Sequence, residues 1–131
     1  VKMLTFVYCR VVPDNLLQSV NDTLEAQEKT CRSYTLRNSH LIKRMYKDNG
    51  PMDERLFLPS VRRMLDDLSR ERKEILVLSD TEMRLGFKRK TREKLKNLIQ
   101  QHGGQFIAIN EPESFTSAFL QEEMFYEENG E

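Results

Sequence analysis

The opening stretch VKMLTFVYCRVVPDN places one guanidinium, Arg10, at the end of a run that is apolar from Met3 to Val12 except at Thr5 and Arg10. A guanidinium is permanently charged and offers five donors in a rigid fork. At the end of a buried strand it either grips an oxyanion or pairs with a carboxylate, here Asp14 or Asp48. Gln27 is a second candidate, able to orient a phosphate or to satisfy a buried backbone group. Arg84 heads a basic run with Lys88, Arg89, Lys90 and Arg92, which either tracks a phosphate backbone or forms a solvated loop and helix start. Asp80 and Glu82, with Asp14, are a sparse carboxylate set that could hold Mg²⁺ for phosphoryl transfer. Cys9 and Cys31 are not spaced as a metal or redox motif. His40 and His102 match no motif, and His102 reads as a dipole contact near a helix end.

These groups need elements to position them. Met3, Leu4, Phe6, Val7 and Tyr8 crowd apolar groups onto both faces of a first strand, as in a sheet covered on both sides. Leu16, Val20, Leu24, Gln27, Cys31 and Tyr34 recur at helical steps, predicting a helix that starts after Pro13-Asp14-Asn15. A second strand is expected over 41–46, ending at the turn Asp48-Asn49-Gly50-Pro51. Pro59 opens a helix whose inner face is Val61, Met64, Leu65 and Leu68. Ile75 to Leu78 form a short buried strand, Leu95, Leu98 and Ile99 mark a helix stopped by Gly103-Gly104, and a strand follows from Phe106 to Ile109. This alternation predicts a single three-layer α/β domain with a mostly parallel sheet around Val7, Leu24, Leu65, Val77, Leu98 and Ile107. Functional groups of such sheets sit at the carboxyl ends of the strands, where Arg10 lies.

A chain of 131 residues is one domain's worth. No apolar run reaches the roughly 18 residues that a membrane span requires, and no signal-peptide pattern opens the chain. A soluble protein of a reducing cytoplasm, with no membrane partner, is expected. The formal net charge of zero hides an asymmetry. All 21 basic residues lie before position 97, whereas residues 111–131 hold seven acidic residues and no basic one. Residues 1–110 therefore carry 21 basic against 14 acidic residues, a net of +7. A basic body suits a polyanion such as nucleic acid, or is simply a solvated surface. The acidic segment either solubilises the chain or covers the basic face.

Taken in order, YCRVV at 8–12, TLEAQ at 23–27 and YKDNG at 46–50 resemble the catalytic domain of the resolvase/invertase family of serine site-specific recombinases. The likeness continues through LPSVRRML at 58–65, ILVLS at 75–79 and LIQQHGGQFIAINE at 98–111. The resemblance implies a resolvase-like catalytic domain over 1–110. Its site residues would be Arg10, Gln27 and Arg84, with Val12 standing where the family has its nucleophilic serine. Valine has no hydroxyl to attack a phosphodiester. Leu58 stands where the family has an arginine, and in the register that keeps Arg84, Met83 and Phe87 replace an aspartate and a second arginine. Cys9, on the opposite face of the strand from Val12, and Ser19, with no evident base, are poor substitutes.

The expected function is therefore that of a degenerate serine recombinase homologue, not an enzyme, acting in DNA recombination as a binding or assembly module. Its expected partners are DNA, bound weakly, and a homo-oligomer or hetero-oligomer with an active recombinase; no cofactor or metal is expected. One alternative is an active fragment with a displaced nucleophile, and another is the Mg²⁺-dependent domain built on Asp80, Glu82 and Asp14. Residues 111–131 form an acidic C-terminal segment in which Ser114 to Phe125 could begin the family's interface helix.

Overall fold

The structure, a computed structural model, describes residues 2–12, 23–55 and 57–110. Strand β1 spans Leu4–Val11, helix α1 Leu24–Arg37, β2 Leu41–Asn49, α2 Pro59–Arg70 and β3 Ile75–Thr81. A short 3₁₀ turn, Glu82–Leu85, leads to α3, Arg89–Gln101, and β4, Gly104–Asn110, closes the described chain. The four strands form one parallel sheet in the order β2-β1-β3-β4.

Alternation along β1 builds two cores, one on each face of the sheet, as a three-layer domain requires. Phe6 and Tyr8 face α2 and α3, packing with Val61, Met64, Leu68, Val77, Leu95 and Ile99. Val7 and Cys9 face α1, packing with Cys31 and Leu78. That is why β1 is apolar on both faces and why every residue from Thr5 to Arg10 is buried. Val7, Leu65 and Val77 are buried as expected, whereas Leu24, Leu98 and Ile107 are only partly buried at the margins of the two clusters.

The helix expected after Asn15 begins at Leu24, because Thr23 is extended and its hydroxyl accepts from the Ala26 N–H at 3.1 Å, capping the helix there. Leu16 and Val20 lie outside the described residues. The strand expected over 41–46 runs on to Asn49, paired with β1 as far as Val11. Helix α2 starts at Pro59 and buries Val61, Met64, Leu65 and Leu68, as its spacing predicts. Helix α3 ends at Gln101, with Gly103 at φ +96°, where a side chain is disfavoured. Sequence reasoning did not anticipate the 3₁₀ turn, and it is this turn that carries Arg84.

Candidate functional site

The strand order makes β1 the point where the chain departs to β2 on one side and to β3 on the other, the usual place for a ligand crevice in a parallel sheet. The β1–β2 ladder continues to Val11–Asn49, but β1 pairs β3 only over Thr5–Leu76 to Val7–Leu78. Beyond Val7 side chains take over on the β3 side. The Ser79 hydroxyl donates to Tyr8 O at 2.8 Å. Gln27, fully buried on α1, accepts from the Arg10 N–H through Oε1 and donates through Nε2 to Arg10 O, each at 2.9 Å. A primary amide has the donor–acceptor pair of a peptide group, so Gln27 stands in for the missing stretch of strand.

The Arg10 side chain, buried at 7% exposure, reaches three backbone carbonyls. Its Nε donates to Arg84 O at 2.8 Å, Nη2 to Met83 O at 2.8 Å and Nη1 to Gly50 O at 2.9 Å. Burial pushes its pKa down, and the neighbouring Arg84 guanidinium adds to the effect. Arg84 is also buried and forms a two-point pair with Asp80: Nε to Oδ1 at 2.7 Å and Nη2 to Oδ2 at 2.9 Å. The pair spans four residues through the 3₁₀ turn, which ends on Gly86 at φ +140°. A Cβ at Gly86 would lie 2.8 Å from Thr91 Cγ2, so the turn packs against α3 only with glycine there.

Asp48, at the end of β2, serves the first turn of α2. Its Oδ1 accepts from Ser60 N–H at 3.0 Å and Oδ2 from Val61 N–H at 3.2 Å, while the Tyr8 hydroxyl donates to Oδ2 at 2.9 Å. Leu58, at the N-cap position, makes no side-chain cap bond, so the carboxylate of a neighbouring strand caps the helix instead. Burial raises the Tyr8 pKa well above its ordinary value, and the adjacent Asp48 carboxylate raises it further.

The structure thus brings Arg10, Gln27 and Arg84 together at one end of the sheet. Arg10 pairs with carbonyls rather than with Asp48, and Asp14 lies outside the described residues. Val12 follows the strand directly and is half-buried, beside the Gly50 N–H that bonds Val11 O at 2.8 Å. Among the described residues near this end, Ser79 and Ser60 each donate their hydroxyl to a backbone carbonyl, of Tyr8 and of Lys47. Ser19 is not described. No cluster of three potential metal ligands occurs among the described residues. Asp80 is engaged by Arg84, while Glu82 receives Arg92 Nε at 3.2 Å and Lys96 Nζ at 2.5 Å.

Cys9 and Cys31, far apart in sequence, lie together in the α1-side core as free thiols, and the neighbouring Cys9 thiol, with burial, raises the Cys31 pKa. His102 caps α3 and its Nδ1 lies 2.7 Å from Leu98 O. His40 accepts from the Met3 N–H at 3.0 Å. The roles of Asp48 and Asp80 as partners of a helix end and of Arg84 were not foreseen. The i, i+4 spacing of Asp80 and Arg84 was the one available signal, and it predicts a pair only on a helical turn.

A family model described as the resolvase N-terminal domain matches residues 5–126. Several solved structures share the fold at low identity. A resolvase family site-specific recombinase from Streptococcus pneumoniae superposes with TM-score 0.66 at 19% identity, covering 98% of this chain and 90% of that one. The N-terminal catalytic domain of TP901-1 integrase gives 0.64 at 18%, covering 97% and 93%. The C-terminal catalytic domain of ISC1926 TnpA, an IS607-like serine recombinase, gives 0.66 at 16%, covering 93% and 78%. No curated protein matches the chain. Among the described residues no helix is long and apolar enough to cross a membrane.

Proposed function

The chain belongs to the resolvase N-terminal domain family, and on that premise we propose that it acts in DNA recombination as a binding or assembly module without strand-cleaving activity. The observation that carries this reading is the engagement of Arg10. Its guanidinium, at the strand end where the resemblance places a site residue, donates to the carbonyls of Met83, Arg84 and Gly50. Phosphoryl transfer in such a site rests on guanidinium groups aimed at the phosphate oxygens, and losing one preorganised donor costs on the order of a hundredfold to a thousandfold in rate. Val12 supplies no oxygen to attack phosphorus, and the hydroxyls of Ser60 and Ser79 are turned to backbone carbonyls. Leu58 and Phe87 stand where further arginines of the family pattern would be.

The domain is then a folded platform whose surface, rather than its crevice, meets other molecules. DNA and a second recombinase-like subunit, of its own kind or an active relative, are the partners that suit this reading. The test is incubation of the full chain with supercoiled DNA carrying a recombination site, followed by denaturing separation and mass spectrometry. Retarded DNA at low salt with no covalent protein–DNA linkage is the expected result. A linkage mapped to any serine of the chain overturns the proposal in favour of a displaced nucleophile.

A further inference from the structure

The basic side chains of the domain fall into two groups. Along β2 they are matched by carboxylates: Lys43 meets Glu71 at 2.9 Å, Lys47 meets Glu28 at 2.7 Å, and Arg44 lies 3.9 Å from Asp67. Around the first turns of α2 and α3, of Arg55, Arg62, Arg63, Lys90 and Lys94 only Lys90 is so matched, and the side chains of the other four have no carboxylate partner among the described residues. Arg55 and Arg62 are exposed and make no ion pair among the described residues. Arg63 is exposed and donates to the Ser60 hydroxyl at 2.9 Å. Lys90, with its side chain 75% exposed, pairs with Glu54 at 3.8 Å. Lys94 donates to the Glu54 backbone carbonyl at 3.0 Å and stands over the Phe57 ring at 6.0 Å. These last two contacts tie α3 to the segment that carries Arg55 and leads into α2, and with Arg62 and Arg63 at the start of α2 the five cations make up a basic rim.

Arg62 and Lys90 sit in the first turns of α2 and α3, where a cation works against the helix. A helix N-terminus carries the positive end of the backbone dipole and ordinarily collects acidic residues. Helix α1 does so with Glu25 and α2 borrows the Asp48 carboxylate of β2, but neither α2 nor α3 has an acidic residue of its own in its first turn. Asp53, Glu54, Asp66 and Glu93 belong to the same segments, and the rim keeps a positive excess beside them. Such a surface is compensated by an extended polyanion whose charges repeat along its length, which the phosphates of a duplex supply.

We propose that the rim formed by Arg55, Arg62, Arg63, Lys90 and Lys94 is the surface on which this domain meets the backbone of duplex DNA, outside the buried Arg10–Arg84 crevice. The proposal rests on the DNA-module reading above and assigns its contact surface. Binding there is independent of sequence, because phosphate contacts position without reading bases. The full chain and two variants are titrated against a short fluorescent duplex of mixed sequence over a range of salt. One variant is Arg62→Gln/Arg63→Gln/Lys90→Gln/Lys94→Gln, which leaves every core residue in place; the other is Lys43→Gln/Arg44→Gln/Lys47→Gln on β2. With four phosphate contacts the logarithm of affinity falls with the logarithm of salt with a slope of about −3.6. The rim variant is expected to lose about tenfold or more at low salt with a flatter slope, and the β2 variant to stay within about threefold. Equal losses in both variants, or an unaffected rim variant with native circular dichroism, overturn the rim and leave the DNA reading standing. A full chain that binds no duplex even at low salt overturns both. Tighter binding of a single-stranded RNA than of the duplex through the same four residues overturns the assignment to duplex DNA.

Discussion

Replacing Gln27 by alanine tests whether this residue is part of the sheet or part of a ligand site. Its amide makes two hydrogen bonds to the main chain of Arg10, each at 2.9 Å and both buried. The variant leaves an N–H and a C=O without partners, and a buried unsatisfied polar group costs about 1–3 kcal/mol. Loss of a side chain with no exposed surface adds a cavity, which water entering the polar space partly offsets. The sum is a destabilisation of about 3–5 kcal/mol. For a domain of this size each kcal/mol moves the melting temperature by about 3–5 °C, so a fall of roughly 10–20 °C is expected. Calorimetry and urea denaturation measure it, and Gln27→Met, which fills the volume without the amide, separates cavity from hydrogen bonding. A loss below about 1 kcal/mol in the alanine variant with an unchanged urea slope would refute the reasoning. It would return Gln27 to the role of a phosphate-orienting group.

Other expectations follow from the same geometry. The Tyr8 pKa is raised in the folded state by burial and by Asp48, so the unfolded chain ionises first, near pH 10. Stability is then flat below that pH with respect to this group and falls above it by about 1.4 kcal/mol per pH unit. Urea titrations at pH 9 and 11 measure the loss, Tyr8→Phe removes that share of it, and an unchanged slope in the variant contradicts the assignment. Asp48→Ala removes the acceptor of Ser60 N–H, Val61 N–H and the Tyr8 hydroxyl together, with an expected cost of about 2–4 kcal/mol by thermal unfolding. Because Asp80 and Glu82 already hold Arg84, Arg92 and Lys96, millimolar Mg²⁺ is expected to leave the melting temperature unchanged and to elicit no phosphoesterase activity. A rise of several degrees that is lost in Asp80→Ala would revive the carboxylate site.

Helix α2 was legible in full, because Pro59 and the spacing of Val61, Met64, Leu65 and Leu68 encode its start and its buried face. The two-sided apolar character of β1 likewise encodes a parallel sheet covered on both faces. Leu16 and Val20, which share the helical period of Leu24, lie outside the described residues, and periodicity alone does not reveal that Thr23 caps the helix beginning at Leu24. The convergence of Arg10, Gln27 and Arg84 followed from strand order and from the ordered motifs. What each residue touches did not, since backbone carbonyls carry no mark in a sequence. Arg10 has the same letters around it whether its fork meets phosphate or three peptide oxygens. Tertiary geometry makes that distinction, through a 3₁₀ turn that presents the carbonyls of Met83 and Arg84 to it.

The central claim is that the crevice is held closed by its own hydrogen bonds and does not merely lack one hydroxyl. The most direct measurement is the adduct assay on the Val12→Ser variant, with supercoiled site-bearing DNA and mass spectrometry of the denatured product. With Arg10 held by the carbonyls of Met83, Arg84 and Gly50, and Arg84 held by Asp80, the restored hydroxyl is expected to yield no covalent linkage. A protein–DNA linkage mapped to position 12 would contradict the claim and show that Arg10 can leave its carbonyls to hold a scissile phosphate.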